Sequence, residues 1–142
     1  MKFNRLRKKT KTILFVHIVG MLMGTSTHLI WVLENGFLSD NYNASLFSKL
    51  FWDSLTFLDP LVALLLFIRP KVGIYLTLFI ISFDIIHNNI FYIDELYLNP
   101  PGFSEWVVKY WMIIGQIVFG LFVALTFKSN LKEIKLKTAV DN

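Results

Sequence analysis

The sequence predicts an all-α integral membrane protein, a four-helix transmembrane bundle whose two termini lie in the cytoplasm. Its 142 residues are 55% hydrophobic and only 17% charged, which leaves too little polar surface to cover a soluble domain. A helix crosses a bilayer with roughly 20 apolar residues. Four stretches approach that length, namely residues 13–33, 51–68, 72–92 and 106–127.

Basic residues set the expected orientation of these spans. Twelve of the fourteen Lys and Arg residues lie before the first span, between the second and third, or after the fourth. The positive-inside rule therefore places residues 1–12 and 128–142 in the cytoplasm, as the basic N-terminus and the tail of a single membrane domain. The cell's inner membrane is the expected location. The net charge of +4 comes from the basic residues that set this orientation. No nucleic-acid-binding motif accompanies it, so we expect no nucleic-acid partner.

The first span follows a basic segment, an arrangement that partly imitates a secretory signal peptide. His17 interrupts the apolar run and apolar residues resume at 29–33, so we expect a retained helix rather than a cleaved leader. His17 itself is expected to be structural. The chain has no cysteine, which excludes disulfides, thiolate metal sites and thiol catalysis.

The second span is preceded by the longest outer loop, residues 34–50. Apolar residues at helical spacing predict a short helix at the membrane interface, formed around Leu46, Phe47, Leu50 and Phe51. Within the span, Pro60 lacks a backbone N–H and disfavours helical geometry at Asp59. The segment is therefore one kinked helix, or two pieces with Asp59 as the N-cap of the second. Broken helices at this depth are typical of ion sites in transporters.

The third and fourth spans have clear boundaries. Residues 69–71, Arg-Pro-Lys, predict a tight turn, so that the second and third spans form an antiparallel hairpin. The last span follows the structure-breaking residues 99–102, with Ser104 as the expected N-cap. Aromatic residues near the outer ends of the spans predict an interfacial belt of Trp31, Trp52, Tyr92, Tyr97, Trp106, Tyr110 and Trp111.

Each predicted span carries one polar or small-residue face, and four such faces can converge on a bundle interior. On the third span Asp84, His87 and Asn88 stand at i, i+3 and i+4, within an arc of about 100°. The other three faces are His17, Gly20, Gly24 and His28, then Thr56, Asp59 and Ala63, and finally Gln116, Gly120 and Ala124.

Depth along the helices groups the ionisable residues into two layers. At a rise of about 1.5 Å per residue, His28 and His87 share a level in the outer half, and Asp59 and Asp84 lie near the midplane. If the first three helices are mutual neighbours, these residues and Asn88 form an outward-opening intramembrane pocket that binds an ion, a metal or a small lipophilic ligand. An Asp at a helix centre costs about 2.5–3.5 kcal/mol, so such residues pair, bind an ion or take a proton.

Several kinds of chemistry fit this pocket. His28, His87 and Asp84 offer the nitrogen and oxygen ligands of zinc, iron or manganese. A haem held between the two histidines is an alternative that the neighbouring carboxylates disfavour. The Asp–His chain can also relay protons, or supply a general acid and base to an enzyme acting on a lipid-like substrate. A purely structural pairing of Asp84 with a histidine is the remaining interpretation.

A different class of function needs no pocket. The small residues of the first span, in the GxxxG pattern of Gly20 and Gly24, and those of the fourth span can pack against another helix. This is typical of a non-enzymatic membrane subunit or immunity-type protein that binds a partner membrane protein, or of a homo-oligomer. The four-helix layout with buried acids and histidines is similar to that of the small sterol-isomerase-like membrane proteins of the EXPERA group. The resemblance covers the layout but no extended motif, and it implies no sterol function.

Overall fold

The computed structural model of the chain describes residue 3 and residues 6–140, with side chains as far as residue 136. Every long element in this part is helical, and each of the four long helices has the length and hydropathy to cross a membrane. The predicted all-α fold, with four helices long and apolar enough to cross a membrane, is therefore confirmed. The helices are α1 (Lys8–Asn35), α2 (Leu46–Ile68), α3 (Pro70–Phe91) and α4 (Phe103–Val140).

Helices that follow one another in sequence pack side by side, α1 on α2, α2 on α3 and α3 on α4. A smaller contact between α1 and α4 closes the bundle. There Glu133 of α4 accepts hydrogen bonds from the Arg7 backbone N–H at 2.5 Å and from the Thr10 hydroxyl at 2.6 Å. The start of α1 and the last turns of α4 therefore lie at one end of the bundle, here called the terminal end. The opposite end, where α1 is joined to α2 and α3 to α4, is called the far end.

The turn between α2 and α3 is as tight as its sequence predicts. Arg69 alone separates the two helices, and Pro70 occupies the first position of α3, where a missing N–H costs nothing. Directly after the turn, Gly73 lies against the backbone of α2. A Cβ atom at this position would stand 2.5 Å from the backbone nitrogen of Leu66, so only glycine fits.

The α1–α2 connection ends where α2 begins. The residues predicted to form an interfacial helix are helical and lie in the first turns of α2, which begins at Leu46 because the hydroxyl of Ser45 caps it and accepts from the Ser48 N–H at 3.2 Å. A single 3₁₀ turn, Asp40–Tyr42, precedes it. Helix α2 also continues through Pro60, so the alternative in which Asp59 caps a second helical piece is wrong.

One buried carboxylate holds this first far-end loop. Asp53 of α2 accepts from the Leu38 backbone N–H at 2.6 Å and from the Tyr42 hydroxyl at 2.7 Å. The ring of Tyr42 stacks on that of Trp52, with centroids 5.1 Å apart. The loop is therefore fastened to α2 by two hydrogen bonds and an aromatic contact.

The α3–α4 connection contains a π-helical segment, Asp94–Leu98, that buries Leu96. Its Glu95 accepts from Lys109 Nζ at 2.5 Å and from the hydroxyl of Tyr110. Helix α4 starts at Phe103, so Ser104 lies inside it and is not the N-cap. At Tyr110 the backbone leaves helical geometry (φ −112°, ψ 17°) and α4 bends there.

The Tyr42–Asp53 hydrogen bond leads to a pH-dependent prediction. Burial first, and then the hydrogen bond to Asp53, raise the pKa of the Tyr42 phenol above its ordinary value. Because the folded state favours the neutral phenol, this stabilisation is complete below the ordinary tyrosine pKa of about 10 and is lost as the pH rises beyond it. We expect the phenolate absorbance of the wild type, minus that of Tyr42→Phe, to stay near zero through pH 10. A half-maximal tyrosine signal at pH 10, as an unperturbed phenol gives, would show that the Tyr42–Asp53 hydrogen bond does not hold the loop in this way.

Candidate functional site

Two carboxylic acids are buried in the interior of the bundle, within electrostatic range of each other. Asp59 of α2 is 5% exposed and Asp84 of α3 is 6% exposed. Each lies on the predicted polar face of its helix, beside the buried Thr56 on α2 and the buried Thr77 on α3. The opposite faces of both helices are apolar and exposed, as lipid-facing surfaces should be. The pattern of the sequence therefore turns these two acids away from lipid.

Asn88 connects the site across three helices. Its Oδ1 accepts from Trp52 Nε1 at 2.9 Å, and its Nδ2 donates to Asp84 Oδ1 and to Gln116 Oε1, each at 2.9 Å. Both amide hydrogens and the amide oxygen are thus used. Sequence reasoning missed two members of this network, since Trp52 was expected in the aromatic belt and Gln116 on a packing face. Asn88 therefore fixes the position of Asp84.

Asp59 is less well satisfied. Its Oδ2 lies against Gly24 of α1, where a Cβ atom would approach to 2.5 Å. Its other oxygen, Oδ1, is fully buried and has no hydrogen-bond partner. The hydroxyl of Thr56, one turn earlier on α2, is likewise buried without a partner. An unpaired polar group in a low-dielectric interior is costly, so these oxygens are well suited to bind a cation or a proton.

No basic side chain neutralises the two acids among the residues that the structure describes. The Lys–carboxylate pairs in this part of the chain join Lys49 to Asp40 and Lys109 to Glu95, and both lie at the far end. Asp59 is within electrostatic range of Asp84. Two negative charges so close in a medium of low dielectric constant repel strongly. The pair is stable only if a proton or a metal cation offsets part of its charge.

The histidines lie outside this acid pair. His87 is half-buried, its Nε2 is 3.2 Å from Ser48 Oγ, and it lines a groove of about 370 Å³ between α2 and α3. His28 is half-buried on α1, one turn beyond Gly24. The ring of His87 is surrounded by other rings, those of Phe47, Phe51, Trp52, Phe83 and Phe91.

The predicted metal ligands do not form a cluster. Within the described residues, no group of three or more His, Asp or Glu side chains could hold a metal ion. Asp84 faces the interior whereas His87 faces the groove, although they are three residues apart on one helix. His28, His87 and Asp84, the residues of the sequence-predicted metal site, therefore do not form such a group.

The small-residue faces are occupied within the bundle. A side chain at Gly20 would overlap the ring of Phe119, and one at Gly120 would overlap Ile85. Gly24 is covered by Asp59. The helix contacts that were predicted to bind a partner protein are therefore made inside this chain, and of the α4 stripe Ala124 alone is exposed.

Comparisons with known proteins add no assignment, since no protein-family model, no curated protein and no solved structure matches this chain. The candidate site therefore has to be interpreted from its own geometry. That geometry consists of two buried acids, the amide of Asn88 with all its hydrogen-bonding groups in use, and the oxygens of Asp59 and Thr56 that have no partner.

Proposed function

We propose that this protein is a multi-pass component of the cell's inner membrane, with both termini in the cytoplasm, that binds a cation between Asp59 and Asp84. The cation is a proton or an alkali metal ion. The observation that carries the proposal is the burial of two acids without a basic partner, beside the unpartnered oxygens of Asp59 and Thr56.

The chemistry of the lining favours a cation over the other predicted ligands. Oxygen atoms of carboxylates, a hydroxyl and an amide are hard ligands that suit small hard cations. A lipophilic ligand would find apolar surface, which is concentrated in the groove beside His87 rather than around the acids. An ionised Asp at a helix centre costs about 2.5–3.5 kcal/mol, and a bound proton or metal ion reduces that cost.

Neighbouring residues support the site in separate ways. The Asn88 hydrogen bond orients Asp84. The absence of a side chain at Gly24 lets α1 cover Asp59 and exclude lipid. Trp52 bonds to Asn88 and stacks on Tyr42, so it connects the acid pair to the far-end loop.

Carbodiimide labelling tests the proposal. Dicyclohexylcarbodiimide adds to a protonated carboxylic acid in apolar surroundings, and the carboxyl proton moves to a carbodiimide nitrogen as the new C–O bond forms. We expect peptide mass spectrometry of the purified protein to find the adduct at Asp59 or Asp84, with less labelling as the pH rises. Protection by sodium at constant pH would identify an alkali ion as the ligand. Labelling that falls as the pH rises but does not change with sodium would identify the proton as the ligand.

Matched variants make this result specific. Asp53→Asn removes another buried acid of α2 but leaves the pair intact, so the adduct should persist. Asp59→Asn and Asp84→Asn should each reduce or abolish it. If neither acid is labelled at any pH and the midpoint of thermal unfolding is also independent of sodium, the protein does not bind a cation at this site.

A further inference from the structure

The terminal half of the bundle contains a second polar group, formed between α1 and α4. Its centre is Asn130, which is completely buried and whose Oδ1 and Nδ2 both lack a hydrogen-bond partner. A carboxamide provides two donors and an oxygen acceptor, and leaving all of them unpaired in the protein interior is strongly unfavourable. The side chain is therefore placed to bind water or another small polar species.

His17 contacts Thr126, which precedes Asn130 by one turn on α4, and one of its ring nitrogens has no partner. The Thr126 hydroxyl lies 2.8 Å from the Phe122 carbonyl and 3.0 Å from His17 Nε2, and we assign its proton to the carbonyl. That assignment places the ring proton on Nε2 and leaves Nδ1 with a lone pair. Nδ1 is buried and has no partner, and His17 is 0% exposed. A buried imidazole with a free lone pair can accept a proton.

Polar side chains continue from His17 to the terminal end. Thr126, Asn130 and Glu133 follow one another at intervals of one turn on α4. Glu133 then meets Thr10 and the first backbone N–H groups of α1. From Thr10 to His17 is seven residues, or about 10 Å along the helix axis. The group therefore extends about 10 Å along the bundle from the terminal end.

We infer that this group is a hydrated proton-entry site, centred on Asn130 and His17, that supplies protons to the acid pair from the terminal end. The inference rests on the proposed cation site and identifies its ligand as the proton. His17 Nδ1 accepts the proton from a hydronium ion at Asn130, which is left as water, and the imidazolium then releases it toward the acid pair. Met21 of α1 and Val62 of α2 are buried and apolar, so the two sites are successive positions rather than one open channel.

Single-cysteine labelling tests the hydration, because the chain contains no cysteine. Asn130→Cys and Thr126→Cys place a thiol in the site, while Leu125→Cys places one at similar depth on the lipid-facing side, where Leu125 is 83% exposed. In oriented vesicles we expect a small charged methanethiosulfonate to modify the first two at least tenfold faster than the third, and only from the terminal side. Equal rates in all three folded variants would refute a hydrated site.

A second measurement tests the supply of protons. Carbodiimide labelling of Asp59 and Asp84 should respond to the pH on the terminal side of the vesicles, and His17→Phe should slow that response at least tenfold. A response to the far-side pH alone would overturn the entry site while leaving the acid pair intact. If carbodiimide does not label Asp59 or Asp84 while the methanethiosulfonate modifies Asn130→Cys rapidly, the proposed function is contradicted instead. The two failures can therefore be distinguished.

Discussion

Replacing Gly73 by alanine is expected to destabilise the bundle strongly. A Cβ atom at this position would lie 2.5 Å from the Leu66 nitrogen and 2.6 Å from its Cα. These are backbone atoms of α2 and cannot rotate away, so α2 and α3 would have to separate beside their one-residue turn. Overpacking of this kind costs about 1–3 kcal/mol and occasionally more. Reversible unfolding in mixed micelles, followed by circular dichroism, would measure the loss.

Gly115→Ala is the matched control for this substitution. Gly115 is also an intramembrane helical glycine, but a Cβ atom there meets nothing within 4 Å. Alanine is favoured over glycine in a helix by roughly 0.5–1 kcal/mol, so this variant should be as stable as the wild type or more stable. Equal destabilisation at both positions would mean that the close α2–α3 approach is not what requires Gly73.

Asn88→Ala should have the second large effect. It removes three hydrogen bonds at once and leaves Trp52, Asp84 and Gln116 without these partners in the membrane interior. Membrane hydrogen bonds average about 0.6 kcal/mol, and buried groups that lose their partners cost more, so we expect a loss of about 2–4 kcal/mol. Tryptophan fluorescence should also change, because the indole N–H of Trp52 loses its acceptor. Unfolding in mixed micelles would quantify the loss.

The adjacent Asn89 provides the control for this experiment. It is half-buried, donates to the Ile85 carbonyl within its own helix, and accepts from Tyr97 near the far end. Asn89→Ala should therefore cost less than about 1 kcal/mol. If Asn88→Ala and Asn89→Ala lower the free energy of unfolding equally, the hydrogen bonds of Asn88 do not stabilise the packing of α2, α3 and α4.

The architecture was predictable from the sequence because its determinants are local. Apolar length alone defines four helices. Pro70 ends one helix and begins the next, which places the hairpin turn correctly. The inward faces of α2 and α3 also follow from helical spacing, since Asp59 and Asp84 are both buried.

The remaining details depend on tertiary contacts that one sequence does not reveal. The side chains of Asp84 and His87 point in directions only about 60° apart around α3. Asp84 nevertheless lies in the bundle interior, whereas His87 lines the groove between α2 and α3. Trp52 and Gln116 join the network because neighbouring helices bring them to Asn88, not because of any local pattern. Pro60 did not break α2, whose helix continues on both sides of it.

The carboxylate that binds the start of the first helix is synthesised long after that helix. Glu133 follows Thr10 by 123 residues, yet it accepts the hydrogen bonds at the start of α1. During translation α1 therefore enters the membrane with these groups bound to water or lipid head groups, because Glu133 lies in α4 and is made after α2 and α3. Joining of α1 to α4 is thus a late step of biogenesis. A chain truncated before Glu133 would keep its four apolar stretches but lack this closing contact.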